Sequence, residues 1–278
     1  MKVIESLDEW KELRPGLSGS LGLVPTMGFL HEGHLSLVRR ARKENDHIVV
    51  WIFVNPKQVG QNEDLDQYPR DFARDLRLVR EIGTDYVLAP TVEDVYPAGF
   101  QTHVTVEVIS KPREGTNRPS HFRGVATVVA KMLCLTQAHR AYFGQKDAQQ
   151  SLVVKRMVDD LGMLTKIVIC PTVREPDGLA LSSRNVRLAP AQRKAATVLF
   201  RALKKVEADV AAGERYGETL RAQMRALLAE EPLAEVDYIS IADPGTLEEC
   251  TTVQDSALAS LAVRFGDIRL IDNLILTT

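Results

Sequence analysis

A chain of 278 residues with 45% hydrophobic, 26% charged and 6% aromatic residues has the composition of a globular protein with a substantial core. Its formal net charge of −2 argues against a protein that binds nucleic acid through a global positive field. No apolar stretch approaches the roughly 20 residues of a membrane span, the N-terminus lacks a signal-peptide pattern, and the three cysteines lack CxxC spacing. We therefore expect a cytoplasmic protein with reduced thiols and neither a nucleic-acid nor a membrane partner.

The first two-thirds of the chain alternate short apolar runs with helical periodicity. Residues 21–24 and the β-branched run 48–54 predict strands, and the longer run is typical of a central parallel strand. Further strands are predicted at 86–89, 141–143 and 166–170, with helices between them. This alternation predicts an α/β fold in which residues 1–175 form a Rossmann-like domain with a parallel sheet.

The pattern changes after about residue 176. Pro190 suits the first turn of a helix that carries Ala195, Leu199 and Val206 on one face, and a second helix covers residues 220–228. Three apolar runs then follow at 236–242, 258–263 and 268–276, separated by turn residues, and predict a small antiparallel sheet. We expect residues 176–278 to form a smaller α+β domain.

The segment PTMGFLHEGH at residues 25–34 follows the first of these strands and opens a helix. ATP chemistry needs glycines where the backbone approaches phosphate, helix N–H groups, and donors for developing charge. His31 and His34 are three residues apart, so both can face one way at a helix N-terminus. The segment is similar to the HxGH motif of nucleotidyltransferases and class I aminoacyl-tRNA synthetases. The alternative is a plain turn with surface histidines, which suits a single histidine better than this pair.

Two further polar segments follow predicted strands. In FVNPKQ, Asn55 and Gln58 offer neutral hydrogen-bonding groups for a hydroxylated acid, although a plain Asn-Pro turn explains the segment equally well. In YFGQKDAQQ, Lys146 would supply a point charge for phosphate, and Asp147 could cap a helix, or hold a metal-bound water or a ribose hydroxyl. Ligands gather outside the carboxyl ends of strands in an α/β sheet, so we expect the histidine segment and FVNPKQ to line one cleft.

Two polar stretches remain ambiguous. Ser182, Ser183 and Arg184 in LSSRN could clamp a polyphosphate, but taken alone the segment suits an ordinary polar loop better. The basic stretch around Arg118 and His121 could contact phosphate or form an exposed loop.

The segments PTMGFLHEGH, FVNPKQ, NEDLDQYPR, HFRGVATVV, YFGQKDAQQ, LSSRN and LAVRFGDIRLIDN resemble the pantothenate synthetase family in order and spacing. The resemblance covers nearly the whole chain. It implies that pantoate and ATP react to pantoyl adenylate and pyrophosphate, and that β-alanine then displaces AMP. It also implies Mg²⁺, a homodimer, and a C-terminal domain that acts as a lid.

The resemblance also implies residue roles. His34 is at the family's proton-donor position, and with His31, Lys146 and Arg184 it forms the predicted catalytic set, which offsets charge around the reacting phosphorus. Pantoate would be held by Gln58 and Gln150, with Asn55 beside them and Gln58 bordering the β-alanine site. No metal ligand is assigned. The predicted ATP-binding residues are Pro25, Met27, Gly28, Phe29, Leu30, His31, Glu32, Gly33, His34, Gly144, Gln145, Lys146, Asp147, Val173, Leu181, Ser182, Ser183 and Arg184.

Three positions depart from the family's usual residues, and two other functions would share part of the sequence pattern. The family usually has Met at Leu181, Phe at Val59 and often Ala at Phe29, and the smaller Val59 would loosen the pantoate pocket. The nearest rival function is a nucleotidyltransferase that transfers a nucleotidyl group to a small substrate and keeps it in the product. A regulatory nucleotide-binding module is a more distant rival. The chain has no GxSxG elbow, which agrees with a reaction that needs no covalent enzyme nucleophile.

Overall fold

The computed structural model of the chain describes residues 1–58 and 68–278. Val59 and most of the NEDLDQYPR segment lie outside the described residues. The chain divides into two compact units, Met1–Gly144 with Gln149–Pro171, and Gln145–Ala148 with Thr172–Thr278. The two predicted domains, 1–175 and 176–278, and the lid role of the second stay predictions. The grouping of Gln145–Ala148 with the C-terminal part has no counterpart in the sequence pattern.

The described part of the first unit contains a six-stranded sheet, and every neighbouring pair in it is parallel. The strands are β1 (Lys2–Ile4), β2 (Leu21–Thr26), β3 (His47–Ile52), β4 (Tyr86–Leu88), β5 (Arg140–Gly144) and β6 (Lys166–Cys170). Their order is β1-β4-β3-β2-β5-β6. The predicted parallel sheet is confirmed, and the β-branched run forms β3, whose residues Ile48 to Trp51 are fully buried. Of the six strands, the sequence analysis missed only β1.

Helices connect these strands. Within the described residues they are α1 (Leu7–Leu13), α2 (Glu32–Glu44), α3 (Phe72–Glu81), α4 (Val92–Val95), α5 (Glu114–Asn117), α6 (His121–Thr136) and α7 (Ala148–Asp160). The apolar stripe of α6 is buried, with Val125, Val128 and Met132 each at most 3% exposed. Asp71 begins α3 as its N-cap by accepting the backbone N–H of Arg74.

The strand order places the polar segments at one edge of the sheet. β2 pairs with β3 on one side and with β5 on the other. Strands β3 and β4 therefore lie to one side of β2, whereas β5 and β6 lie to the other, so the strand order reverses at β2. The carboxyl ends of parallel strands meet at one edge, and ligands bind there at such a reversal. The histidine segment follows β2, FVNPKQ follows β3, and Gly144 ends β5.

The second unit carries its own apolar core. Its elements are α8 (Pro190–Ala195), α9 (Val198–Ala211), α10 (Gly217–Ala229), β7 (Glu235–Ala242), β8 (Ser256–Phe265) and β9 (Ile268–Thr277). Among the described residues the strands form an antiparallel sheet in the order β7-β8-β9, as predicted. Helices α9 and α10 pack their apolar faces into one cluster with this sheet.

One predicted element is wrong in its extent. The pattern from Pro190 to Val206 predicted a single helix, but the structure breaks it into α8 and α9. At the break the Thr197 hydroxyl donates to the carbonyl of Lys194, 2.8 Å away, so the side chain competes with helix hydrogen bonding. The predicted apolar face is nevertheless correct, because Ala195, Leu199 and Val206 all lie in the same buried cluster.

Gly22 in β2 tests the packing at the centre of the sheet. A Cβ atom there would lie 2.5 Å from Asn45 Nδ2, whose amide is hydrogen-bonded to the hydroxyl of Tyr142 at 2.7 Å. Both partners are buried, so Gly22→Ala should lower the free energy of unfolding by about 1–3 kcal/mol. Gly16→Ala is the matched control, because its Cβ would meet no described atom within 4 Å. Urea unfolding that gave equal stabilities for the two variants would contradict this packing.

Candidate functional site

The loop after β2 has an unusual backbone that is held from α3. Gly28 and Phe29 have positive φ angles of 81° and 50°. The carboxylate of Asp75, 1% exposed, accepts the backbone N–H groups of Phe29 and Leu30, each at 2.7 Å. Arg74 donates to the carbonyl of Leu30 at 2.9 Å. Burial raises the pKa of the Asp75 carboxyl, and the two N–H bonds and Arg74 oppose that rise.

These bonds bear on how the loop could meet a phosphate. The N–H groups of Phe29 and Leu30 are bound by Asp75, and that of Gly28 lies 3.3 Å from the hydroxyl of Thr26. An anion beside this loop would therefore meet side chains and the first turn of α2 rather than these three amides.

The two histidines meet at the start of α2. Their ring centroids are 4.1 Å apart. His31 is the N-cap and accepts the N–H of Gly33 at its Nδ1 atom, 3.1 Å away, while Nδ1 of His34 lies 3.4 Å from the N–H of His31. A ring nitrogen that accepts a hydrogen bond carries no proton, so this geometry assigns the ring proton to Nε2 in both residues.

The FVNPKQ segment is ordered by a chain of side-chain contacts. Asn55 is 1% exposed and donates from Nδ2 to Gln58 Oε1 at 3.1 Å. Its Oδ1 accepts the hydroxyl of Tyr96 at 2.8 Å. Nε2 of Gln58 lies 2.9 Å from Sδ of Met27, so the segments after β2 and β3 are in contact. Tyr96 was missed by the sequence analysis, because it stands in no polar motif.

The backbone at Gln58 is fixed from α6 and the loop before it. Its carbonyl accepts Arg118 at 3.1 Å and lies 2.7 Å from Nδ1 of His121. Gly124 permits this approach, since a Cβ there would lie 2.1 Å from the carbonyl oxygen of Lys57. The sequence analysis left a phosphate contact and an exposed loop open for this basic stretch. In the structure, Arg118 and His121 instead contact the backbone carbonyl of Gln58.

Of the two adjacent glutamines at the start of α7, one is structural. Gln149, 6% exposed, donates to the carbonyls of Ile109 and Pro112 at 2.9 and 2.7 Å. Gln150 is partly exposed in the same turn and remains the candidate for binding a substrate.

The remaining predicted residues lie in or beside the second unit. Gly144 ends β5, and Gln145–Asp147 form a 3-10 turn after it. Leu181 donates its N–H to the carbonyl of Val173 at 3.0 Å, which joins two predicted positions directly. Ser182 caps the 3-10 helix Ser183–Arg187 by accepting the N–H of Arg184 at 3.3 Å.

The predicted residues therefore form two groups. The histidine segment, Asn55, Gln58 and Gln150 belong to the first unit, and Gln145 to Asp147, Val173 and the LSSRN segment belong to the second.

Among the described residues, no three His, Cys, Asp or Glu side chains gather as a metal site would require. Each helix of the described chain is too short or too polar to cross a membrane.

Comparison with known proteins adds to this geometry. A sequence model of the pantoate-beta-alanine ligase family matches residues 1–275. A pantothenate synthetase of Roseiflexus sp. (strain RS-1) is 60% identical over 99% of both chains, and one of Chloroflexus aggregans is 55% identical over 99% of this chain and 100% of its own.

Solved structures show the same similarity. A pantothenate synthetase of Thermus thermophilus superposes with a TM-score of 0.96 at 47% identity and full coverage of both chains. A pantoate-beta-alanine ligase of Francisella tularensis, complexed with beta-gamma ATP and beta-alanine, superposes with a TM-score of 0.82 at 32% identity, over 99% of this chain and 97% of its own.

Asp75→Asn tests the anchor of the loop after β2. The new NH₂ group would face one of two backbone N–H groups, so we expect a loss of about 1–3 kcal/mol in stability and faster amide hydrogen exchange at Phe29 and Leu30. Asp71→Asn makes the same chemical change on the same helix but keeps a good N-cap, so it should be nearly neutral. Unchanged exchange at Phe29 and Leu30 in Asp75→Asn would show that the carboxylate does not hold the loop.

Proposed function

This chain belongs to the pantoate–β-alanine ligase family and condenses pantoate with β-alanine, and we propose that it does so through a pantoyl adenylate formed from ATP. The observation that carries the proposal is the meeting of His31 and His34 at the start of α2, where each Nδ1 faces a backbone N–H group and Nε2 is the donor nitrogen. The amide of Gln58 after β3 contacts Met27 of the same segment. Donors of this kind suit a reaction in which negative charge builds on phosphate oxygens.

The chemistry requires activation of the carboxylate. An oxygen of the pantoate carboxylate bonds to the α-phosphorus of ATP, and the bond from that phosphorus to the bridging oxygen breaks, which releases pyrophosphate. The β-alanine amine then attacks the pantoyl carbonyl carbon. The carbon–oxygen bond to the adenylate breaks, AMP leaves with that oxygen, and the amine nitrogen loses a proton.

We assign the charge-bearing roles to four side chains. His31 and His34 donate hydrogen bonds to the phosphate oxygens, and Lys146 and Arg184 offset the repulsion between two anionic substrates. The remaining nucleotide contacts fall on the other predicted ATP-binding positions. Gly144 suits such a contact because a Cβ there would meet no described atom within 4 Å, which leaves space beside the main chain.

On the acid side, Gln58 and Gln150 bind pantoate. Asn55 is almost fully buried and both ends of its amide are engaged, by Gln58 and Gly124 at one end and by Tyr96 at the other. We therefore assign Asn55 to orienting Gln58 and not to direct contact with the acid.

Magnesium enters as part of the substrate MgATP. Mg²⁺ bound to a nucleotide is held mainly by substrate phosphates and water with one or two carboxylates. Asp147, in the turn after β5, is the carboxylate that would hold such an ion through water. When bound, Mg²⁺ supplies positive charge to the phosphate oxygens.

Labelled oxygen tests the adenylate. Pantoate with heavy oxygen in its carboxylate should give AMP with one labelled oxygen and pantothenate that retains the other, because the attacking oxygen stays on phosphorus. ATP and pantoate without β-alanine should also exchange labelled pyrophosphate into ATP. An acyl-phosphate route would instead release ADP and put the label in inorganic phosphate, and a transferase that keeps the nucleotide would release no AMP.

His34→Ala and Lys146→Ala test the charge-bearing roles. Each variant should slow pyrophosphate exchange by at least about 100-fold, the usual loss for a transition-state donor, with unchanged thermal unfolding. The matched controls are His103→Ala and Lys155→Ala, which remove exposed side chains of the same types. Exchange near the wild-type rate in either test variant would refute the role of that residue.

We also propose a cytoplasmic homodimer. Its three cysteines are free thiols, as a reducing compartment requires. Between α7 and β6 the side chains of Leu161 and Leu164 are 55% and 100% exposed, and a second copy of the chain would cover them.

Sedimentation equilibrium tests the dimer. The wild-type protein should have the mass of two chains, and Leu164→Glu should weaken their association. Val108→Glu, at a site 75% exposed in another part of the first unit, should leave it unchanged. A wild-type protein with the mass of one chain at micromolar concentration would contradict the dimer.

A further inference from the structure

The late segment LAVRFGDIRLIDN belongs to the sequence resemblance but has no role in the reaction as described so far. It runs through the β8–β9 hairpin and ends at Asp272 and Asn273 of β9. These two side chains are 2% and 4% exposed. A buried carboxylate and a buried amide are costly unless they are hydrogen-bonded, so their partners show what the strand holds.

Asn273 is bound to the turn that carries Lys146. Its Nδ2 donates to the carbonyls of Gln145 and Lys146, at 2.9 and 2.8 Å. Its Oδ1 accepts Nε2 of Gln145 at 2.9 Å. The two bonds to carbonyls fix the backbone from which the Lys146 side chain extends, and the third fixes the side chain of Gln145.

Asp272 is bound to the other candidate nucleotide segment of the same unit. Its two oxygens accept NH1 and NH2 of Arg174 at 2.6 and 2.9 Å, a bidentate pair. Arg174 also donates to the carbonyl of Gly178 at 3.0 Å, and its guanidinium stacks on Phe200 at 4.1 Å. These contacts of Arg174 stabilise the turn from Arg174 to Ala180, whose two ends pair in an isolated β-bridge. Val173 and Leu181 directly flank this turn.

We propose that Asp272 and Asn273 are positioning residues for nucleotide binding, which fix the Lys146 turn and the Val173–Leu181 turn to one strand. Successive side chains of a strand point to opposite faces, so two neighbouring residues can hold two different segments. The proposal rests on the proposed function, in which Lys146 and Arg184 meet the nucleotide. A displacement of about 1 Å in such groups can cost about 100-fold in rate, so the rigidity of β9 bears on catalysis.

A double-mutant cycle on pyrophosphate exchange tests this positioning. Asn273→Asp keeps the size and the acceptor for Gln145 but turns a carboxylate oxygen towards two carbonyls. We expect it to slow exchange about tenfold or more and to raise the KM for ATP, with the KM for pantoate changed less than about twofold. In a Lys146→Ala background the same change should have less than about a twofold effect, because its action runs through Lys146.

A stability control separates positioning from general damage. Val206 lies in the buried core of the same unit, so Val206→Ala should destabilise that unit without removing a contact of Asp272 or Asn273. This variant should catalyse pyrophosphate exchange at close to the wild-type rate. If Asn273→Asp does not fold, Asn273→Ala gives the same cycle without the repulsion. Asp272→Asn, which breaks the bidentate pair, should likewise raise the KM for ATP selectively.

The outcomes distinguish this proposal from the proposed function. Slow exchange in Lys146→Ala with wild-type exchange in the Asn273 variants would overturn the positioning role alone. Effects of Lys146→Ala and Asn273→Asp that multiply would also overturn it, because independent residues act additively in free energy. Wild-type exchange in Lys146→Ala would instead remove Lys146 from the reaction, and the positioning role would fall with it.

Discussion

The pairing of β2 with β3 on one side and β5 on the other is the constraint on which the first unit depends. Because all these strands run parallel, their carboxyl ends share one edge, and the connections that leave them must cross that edge. Met27 of the histidine segment and Gln58 of FVNPKQ are 31 residues apart in sequence, yet their side chains touch. A shift of β2 by one residue would turn its buried side chains to the other face and separate these groups.

Buried polar side chains carry the second level of organisation. Asp75 holds the loop before the histidines, Asn55 holds Gln58, and Asn273 holds the turn of Lys146. Each of these residues is almost fully buried and is bonded to a candidate functional segment rather than exposed to a ligand. Since an unpaired buried polar group costs about 1–3 kcal/mol, each segment is confined to the conformation that satisfies its anchor.

This division of labour fits the proposed mechanism, in which no covalent enzyme intermediate forms. The substrates supply both the nucleophile and the leaving group, so the protein has to bring two anions together and stabilise the charge that develops. The proposed donors His31 and His34 and the proposed cations Lys146 and Arg184 serve that purpose only if they are held in place before the substrates arrive. The anchoring residues supply this preorganisation in each unit separately.

The sequence alone determined the parallel sheet, the antiparallel C-terminal sheet and the polar segments, because apolar periodicity and strand–turn–helix motifs are local signals. It did not determine that Pro190 to Val206 breaks at Thr197, since a hydroxyl bond to a carbonyl leaves no periodic trace. It also could not find Asp75, Tyr96 or Asn273, which stand 45, 41 and 127 residues from the groups they bind. Only the tertiary structure decided which polar residues anchor the backbone and which stay available to a ligand, because that depends on burial and on partners brought together by folding. The neighbours Gln149 and Gln150 show this, since Gln149 is buried and bonded to the carbonyl of Ile109 whereas Gln150 is partly exposed.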